Sequence, residues 1–75
     1  MPKLPHLSGK EVIKAISKAG FVPVRQKGSH VILVKQDSIQ KRIVVVPDHK
    51  EIDIGTLIEI IRQAGFKREE FLALL

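Results

Sequence analysis

The side chains best suited to chemistry in this sequence are its histidines, at positions 6, 30 and 49, because imidazole gains and loses a proton near neutral pH. Position separates them. His6 lies in a proline-containing leader, where surface decoration is its plainest role. His30 follows the turn-forming stretch Lys27-Gly28-Ser29 and opens a Val/Ile-rich run. His49 comes after Val46-Pro47-Asp48, just past a second such run, with Lys50 beside it. Three histidines without a close i,i+4 pair, in a chain with no cysteine, make a poor ligand set, so no metal is expected. A base flanked by cations suits metal-independent RNA cleavage. Imidazole removes the proton of a 2′-hydroxyl, its oxygen attacks the adjacent phosphate, and lysines with backbone N–H groups stabilise the charge that develops there. A lone strand histidine is as readily a half-buried structural residue, and His49 beside Asp48 as readily closes a loop.

The elements that must position these residues can be read from periodicity. Ser8 and Glu11 form a capping box at a helix start, with Leu7 and Val12 at the two positions of a hydrophobic staple. Val12, Ile13, Ile16 and Ala19 supply the apolar face, Lys10, Lys14 and Lys18 form a separate stripe at steps of four, and Gly20 ends the helix. Three strands are predicted, Phe21 to Gln26, Ser29 to Lys35 and Lys41 to Val46, joined by turns at Lys27-Gly28 and Gln36 to Gln40. Connections this short join antiparallel neighbours, and Pro23, which has no N–H, pushes the first strand to an edge. A turn centred near Ser38 sets His30 opposite Val46. A second helix is predicted from an Asp53 cap, with Ile52 and Leu57 as its staple and Ile54, Leu57, Ile58, Ile61 and Ala64 as its apolar face. Gly65 closes it in a left-handed conformation. Phe66 and Phe71 would staple a last helix, Arg68 to Leu75, whose cap position, Lys67, has no acceptor.

The fold class expected is therefore α+β: one domain over residues 1–75, in the order α-β-β-β-α, with a three-stranded antiparallel sheet, helices on one face and a short extra C-terminal helix. The other face is left free for a ligand. His49, Lys27 and Lys50 all arrive at the His30 end of the sheet, and the second helix starts nearby at Ile54 or Gly55, offering unpaired N–H groups to a phosphate. Candidate RNA contacts are accordingly Lys27, Gly28, Ser29, His49, Lys50, Gly55 and Thr56, together with the Lys10, Lys14 and Lys18 stripe.

The chain is 75 residues long with net charge +5, and residues 1–50 hold ten Lys/Arg against three Asp/Glu while residues 51–75 hold three against five. Such an excess attracts a polyanion, nucleic acid being the usual one, unless it is merely a solvated basic surface. The absence of cysteine fits a reducing cytosol. The opening Met1-Pro2-Lys3-Leu4-Pro5-His6 has no apolar run to serve as a secretory signal, and the runs Val31 to Val34 and Ile43 to Val46 are far short of the ~20 residues that cross a bilayer, so a cytoplasmic protein without membrane contact is expected. Phe21, Phe66 and Phe71 fall at helix ends, which argues against stacking of bases on an aromatic sheet.

Gly28-Ser29-His30, Val45-Val46-Pro47-Asp48-His49, Gly55-Thr56-Leu57 and Ile61-Arg62-Gln63-Ala64-Gly65-Phe66 together resemble the HicA (YcfA-like) toxin family. Leu7-Ser8-Gly9-Lys10-Glu11 and Ala19-Gly20-Phe21 fit the same pattern, so the resemblance covers nearly the whole chain. It implies a double-stranded-RNA-binding-domain-like fold and an mRNA endonuclease (mRNA interferase) that inhibits translation, works without a cofactor and is neutralised by a HicB-type antitoxin. The catalytic histidine of the family falls on His30. Two positions depart from the pattern: Lys67 stands where many members have a capping Ser or Thr, and Val31 where many carry a second histidine or another polar residue. Two further functions compete with the endonuclease: a non-catalytic double-stranded-RNA-binding module on the same fold, and a purely protein-interacting domain.

Overall fold

A computed structural model describes residues 3–75; Met1 and Pro2, which open the leader, lie outside the described residues. The order of elements is α1 (Gly9–Lys18), β1 (Val22–Lys27), β2 (His30–Gln36), β3 (Lys41–Pro47), α2 (Ile54–Ala64) and α3 (Arg68–Leu72). The strands form an antiparallel sheet in the order β1-β2-β3, so both the fold class and the edge position of Pro23 follow the sequence. The third strand begins at Lys41 as expected and the other strand boundaries move by a residue: β1 runs Val22–Lys27, β2 His30–Gln36, and β3 continues to Pro47.

Helix termini follow their local chemistry. Ser8 Oγ accepts from the Glu11 N–H at 3.1 Å and the Ser8 N–H donates to Glu11 Oε1 at 3.0 Å, which completes the capping box of α1. Both Ala-Gly-Phe segments close a helix in the same way. Gly20 and Gly65 adopt φ of 103° and 79°, and the N–H groups of Phe21 and Phe66 reach back to the carbonyls of Ile16 and Ile61 at 3.3 and 3.1 Å. The two phenylalanine rings then meet edge to face, centroids 6.1 Å apart, which ties the ends of α1 and α2 together. α3 is shorter than the predicted Arg68 to Leu75. The Lys67 N–H donates to Glu70 Oε1 at 2.8 Å, but lysine returns no acceptor, so the helix has half a box.

One sheet face is packed and one is open. Val31, Leu33, Val44 and Val46 join Val12, Ala15 and Ile16 of α1, Leu57, Ile60, Ile61 and Ala64 of α2, and Phe71 of α3 in a single core. Two sequence expectations are corrected here. Ile60 is 1% exposed, whereas Ile54 and Ile58, assigned to the apolar face of α2, are 36% and 42% exposed. In α1, Ala15 is buried and Ile13 only partly so. In α1 the assignment preferred the larger aliphatic to the alanine that faces the sheet; in α2 the choice lay between isoleucines of equal size, and the packing of the helix decided it. β1 is exposed along its whole length, because α1 and α2 pack chiefly over β3 and the buried anchor Phe21 precedes the strand.

Candidate functional site

The site is built by a hairpin, a loop and a helix start. Lys27 pairs with His30 across the two-residue loop Gly28-Ser29. Gly28 has φ 60° and Ser29 is not left-handed, the arrangement of a hairpin turn whose first central residue is glycine. Gln26 Nε2 donates to the Gly28 carbonyl at 3.1 Å and steadies the turn. On the other side of His30, the expected register is off by one. His30 pairs with Pro47 and Val31 with Val46, because the β2–β3 loop spans residues 37–40 and is held by Asp37 Oδ1 accepting from the Ile39 and Gln40 N–H groups at 2.8 and 2.6 Å. The difference decides the face. Pairing with the core residue Val46 would have turned His30 towards the helices; pairing with Pro47 sets it on the open face, where it is exposed.

The segment after β3 is fastened on several sides. The Asp48 N–H donates to the Ser29 carbonyl at 2.6 Å, the Gly9 N–H to the His49 carbonyl at 2.8 Å, and the Ile52 N–H to the Leu7 carbonyl at 2.8 Å. Gly9 is required by contact. A Cβ on it would lie within van der Waals radii of the Pro47 carbonyl oxygen and 2.8 Å from Asp48 Cα, so α1 begins directly against the loop. This contact opens a hollow lined by Ser8, Lys10, Asp48, His49 and Lys50.

The structure thus brings together Lys27, Gly28, Ser29 and His30 in one hairpin, and Lys10, His49 and Lys50 around the adjoining hollow. His30 does not line that hollow. The helix start that lines this hollow is that of α1. Gly55 and Thr56 occupy the first turn of α2, where the Thr56 hydroxyl donates to Asp53 Oδ1 at 2.7 Å and its N–H to Asp53 Oδ2 at 3.0 Å. Those bonds, hydroxyl first, hold the Asp53 carboxyl below its ordinary range, and charge on His49 acts in the same direction. The Lys10, Lys14 and Lys18 stripe is exposed as expected, although Lys18 Nζ donates to the Leu74 carbonyl at 2.9 Å. His6 stands apart, 3.8 Å from a Glu51 carboxylate oxygen. Ser8 and Asp48 were not anticipated as part of the site. The sequence signal was there in Gly9, a glycine just inside a well-capped helix where alanine would favour the helix more.

The model of the HicA toxin of bacterial toxin–antitoxin systems matches residues 9–66. The chain belongs to the HicA toxin family. The match takes in every candidate residue from Lys10 to Thr56 and stops before α3. No match is found among curated proteins. Membership of the HicA family makes the chain a toxin and implies an antitoxin as its partner. Among the described residues of this HicA-family toxin, no helix is long and apolar enough to cross a membrane, and no group of three or more His, Cys, Asp or Glu side chains is placed to hold a metal ion.

Proposed function

We propose that this toxin is a cytoplasmic, metal- and cofactor-independent mRNA endonuclease in which His30 is the catalytic base, and that a HicB-type antitoxin neutralises it. The observation that carries the reading is the exposed His30 at the mouth of the Lys27-Gly28-Ser29 hairpin, next to the Asp48–Lys50 loop, in a chain of the HicA family. His30 takes the proton from a ribose 2′-hydroxyl, the 2′-oxygen bonds to the adjacent phosphorus, and the 5′-oxygen leaves with a proton from water or from an acid side chain. Lys27 and Lys50 offset charge on the phosphate, and Gly28 and Ser29 let the RNA backbone approach the turn. Lys10, Lys14 and His49 contact neighbouring phosphates, whereas Lys18, expected to join them, is held by the Leu74 carbonyl. Gly55 and Thr56 belong to the same RNA surface through the α2 backbone, with the Asp53 cap in place.

The test is cleavage of a labelled RNA by His30→Ala and His49→Ala proteins whose folding is confirmed by circular dichroism. Loss of an acid or base group typically lowers the rate by about 10²–10⁴. That loss is expected for His30→Ala, with RNA affinity nearly retained. A small effect of His49→Ala is expected, since its side chain lines the hollow that His30 does not. Full cleavage by folded His30→Ala would leave a non-catalytic RNA-binding module as the function.

A further inference from the structure

The hollow beside the α1 start contains one group that phosphate binding does not explain. Lys10, His49 and Lys50 suit an RNA strand, but Asp48 lines the same hollow. A carboxylate repels phosphate, so its place on an RNA-facing surface calls for a donor that RNA itself supplies. Glu11, Asp37, Asp53, Glu59 and Glu70 each commit their carboxylates within the fold, to a cap, a turn or an arginine. Among the described residues the Asp48 carboxylate has no hydrogen-bond or ion-pair partner, although the residue is half-buried. Its backbone is nonetheless clamped. The Asp48 N–H donates to the Ser29 carbonyl at 2.6 Å, and a Cβ on Gly9 would lie 2.8 Å from its Cα. The acceptor is thus held in place before any ligand arrives, which lowers the ordering cost of binding.

Position ties this carboxylate to the reaction. Asp48 directly follows Pro47, the ladder partner of His30, so it lies one residue, roughly 3.4 Å of chain, beyond the histidine's row. It faces the hollow, which His30 does not line. A strand with its scissile phosphate at His30 therefore brings an adjoining nucleotide to Asp48. We propose that the hollow receives the base of that nucleotide and that Asp48 makes it specific for a base with an exocyclic amino group. The inference rests on RNA cleavage at His30 and adds which neighbouring base is taken. Adenine, cytosine and guanine each carry an amino donor together with ring or carbonyl acceptors. The amino group donates to the Asp48 carboxylate while an ammonium of the hollow donates to the acceptor. A lysine has three N–H donors and serves a phosphate and the base together. Uracil has carbonyl oxygens and no amino group, so it sets an acceptor against the carboxylate and is disfavoured. The ribose 2′-hydroxyl is the other donor that RNA offers, and the experiment separates the two.

The substrates are short oligoribonucleotides with every 2′-oxygen but one methylated, so that a single phosphate can be attacked, and with A, C, G or U placed on either side of it. The full-length chain is expected to cleave strands with an amino-bearing base at one flanking position with kcat/KM roughly tenfold or more above that for uracil there. Asp48→Ala and Asp48→Asn, whose amide offers a donor as well as an acceptor, are expected to bring that ratio close to one with circular dichroism unchanged. Glu51→Gln removes a neighbouring carboxylate that lies against His6 and is expected to keep the parental ratio. Equal rates for all four bases in the unmodified chain, or a preference that survives in both Asp48 variants, overturns the assignment while leaving cleavage at His30 intact. A rate that ignores the base, but rises when the 2′-oxygen on the 3′ side is left free and loses that gain in Asp48→Asn, gives Asp48 to the hydroxyl and overturns base reading. Absence of any RNA cleavage by the unmodified chain overturns the endonuclease. Base preference is then read from equilibrium binding of the same strands, where equal affinities for all four bases overturn it too.

Discussion

Replacing Gly9 with alanine should destabilise the protein although alanine is the better helix former, and the same change at Gly55 should not. At Gly9 the new Cβ meets the Pro47 carbonyl oxygen, the Pro47 carbonyl carbon at 3.1 Å and Asp48 Cα at 2.8 Å, all of them backbone atoms. None of these can swing aside as a side-chain tip can, so α1 must move away from the loop. Overpacking of this kind costs about 1–3 kcal/mol. Losing the Gly9 N–H to His49 carbonyl bond adds about 1 kcal/mol. Against this stands the preference for alanine over glycine, at most about 1 kcal/mol and less at the first helical position. The balance is a loss of roughly 1–3 kcal/mol. At Gly55 a Cβ meets only the Asp53 Oδ2 atom, at 3.3 Å, a contact that a shift of a few tenths of an ångström relieves while the carboxylate keeps its bonds to Thr56. There the helical preference prevails, with a gain of up to about 1 kcal/mol.

Urea unfolding followed by far-ultraviolet circular dichroism measures both changes, and thermal melting repeats them. A domain of this size shifts its melting temperature by roughly 4–8 °C per kcal/mol, so the two variants should fall on opposite sides of the parent by an easily resolved margin. Gly9→Ala should also displace the amide resonances of Asp48 and His49, whose backbone it pushes. A Gly9→Ala protein as stable as the parent, with an unchanged denaturant slope, would refute the reasoning that the α1 start is wedged against the β3–α2 loop.

Three other perturbations follow from particular contacts. Because the folded pKa of Asp53 is depressed, its contribution is present above the unfolded value and is lost as pH falls through the folded one; the melting temperature should therefore drop below about pH 4 by more in the parent than in Asp53→Asn, which keeps an acceptor that does not titrate. Lys67→Ser supplies the acceptor that α3 lacks, opposite the existing Glu70 bond, and should raise stability by about 1 kcal/mol in urea titration. For RNA binding by the inactive His30→Ala chain, Lys10→Ala should reduce the logarithmic salt slope by roughly 0.7–0.9, whereas Lys18→Ala, whose ammonium is bonded to the Leu74 carbonyl, should leave it unchanged.

Local signals carried most of the fold. Caps, staples and left-handed glycines depend on residues within a few positions of one another, and Ser8, Asp53, Gly20 and Gly65 all behave as their neighbours require. What could not be read is where several elements meet. The rotation of α2 that buries Ile60 and leaves Ile58 at 42% exposure depends on how the helix lies against β3, and in a helix with isoleucine at 54, 58, 60 and 61 the hydrophobic pattern is broad enough to permit either. The contact between Gly9 and the Pro47 carbonyl joins the start of the first helix to the end of the last strand, and no spacing within the sequence records it.

The placement of His30 shows how a small local error becomes a functional one. Counting a symmetrical turn about Ser38 misses the true centre by half a residue, because Asp37 bonds forward to Ile39 and Gln40 and closes the loop between Gln36 and Lys41. Half a residue at the turn is a whole residue in the pairing, and a whole residue exchanges the faces of the sheet. With Val46 as partner, the histidine would share the packed face with Val44 and Val46, where an imidazole finds neither water nor a hydrogen-bond partner. With Pro47 as partner it shares the open face with Lys27, where solvent and a ligand can both reach it. The Asp37 turn therefore fixes the side on which the candidate base is presented, although it lies at the far end of the β2–β3 hairpin and touches nothing in the site. Its carboxyl is held below the ordinary range by the Ile39 and Gln40 N–H groups, so the turn keeps its charged, bonded form at any pH where imidazole can act as a base.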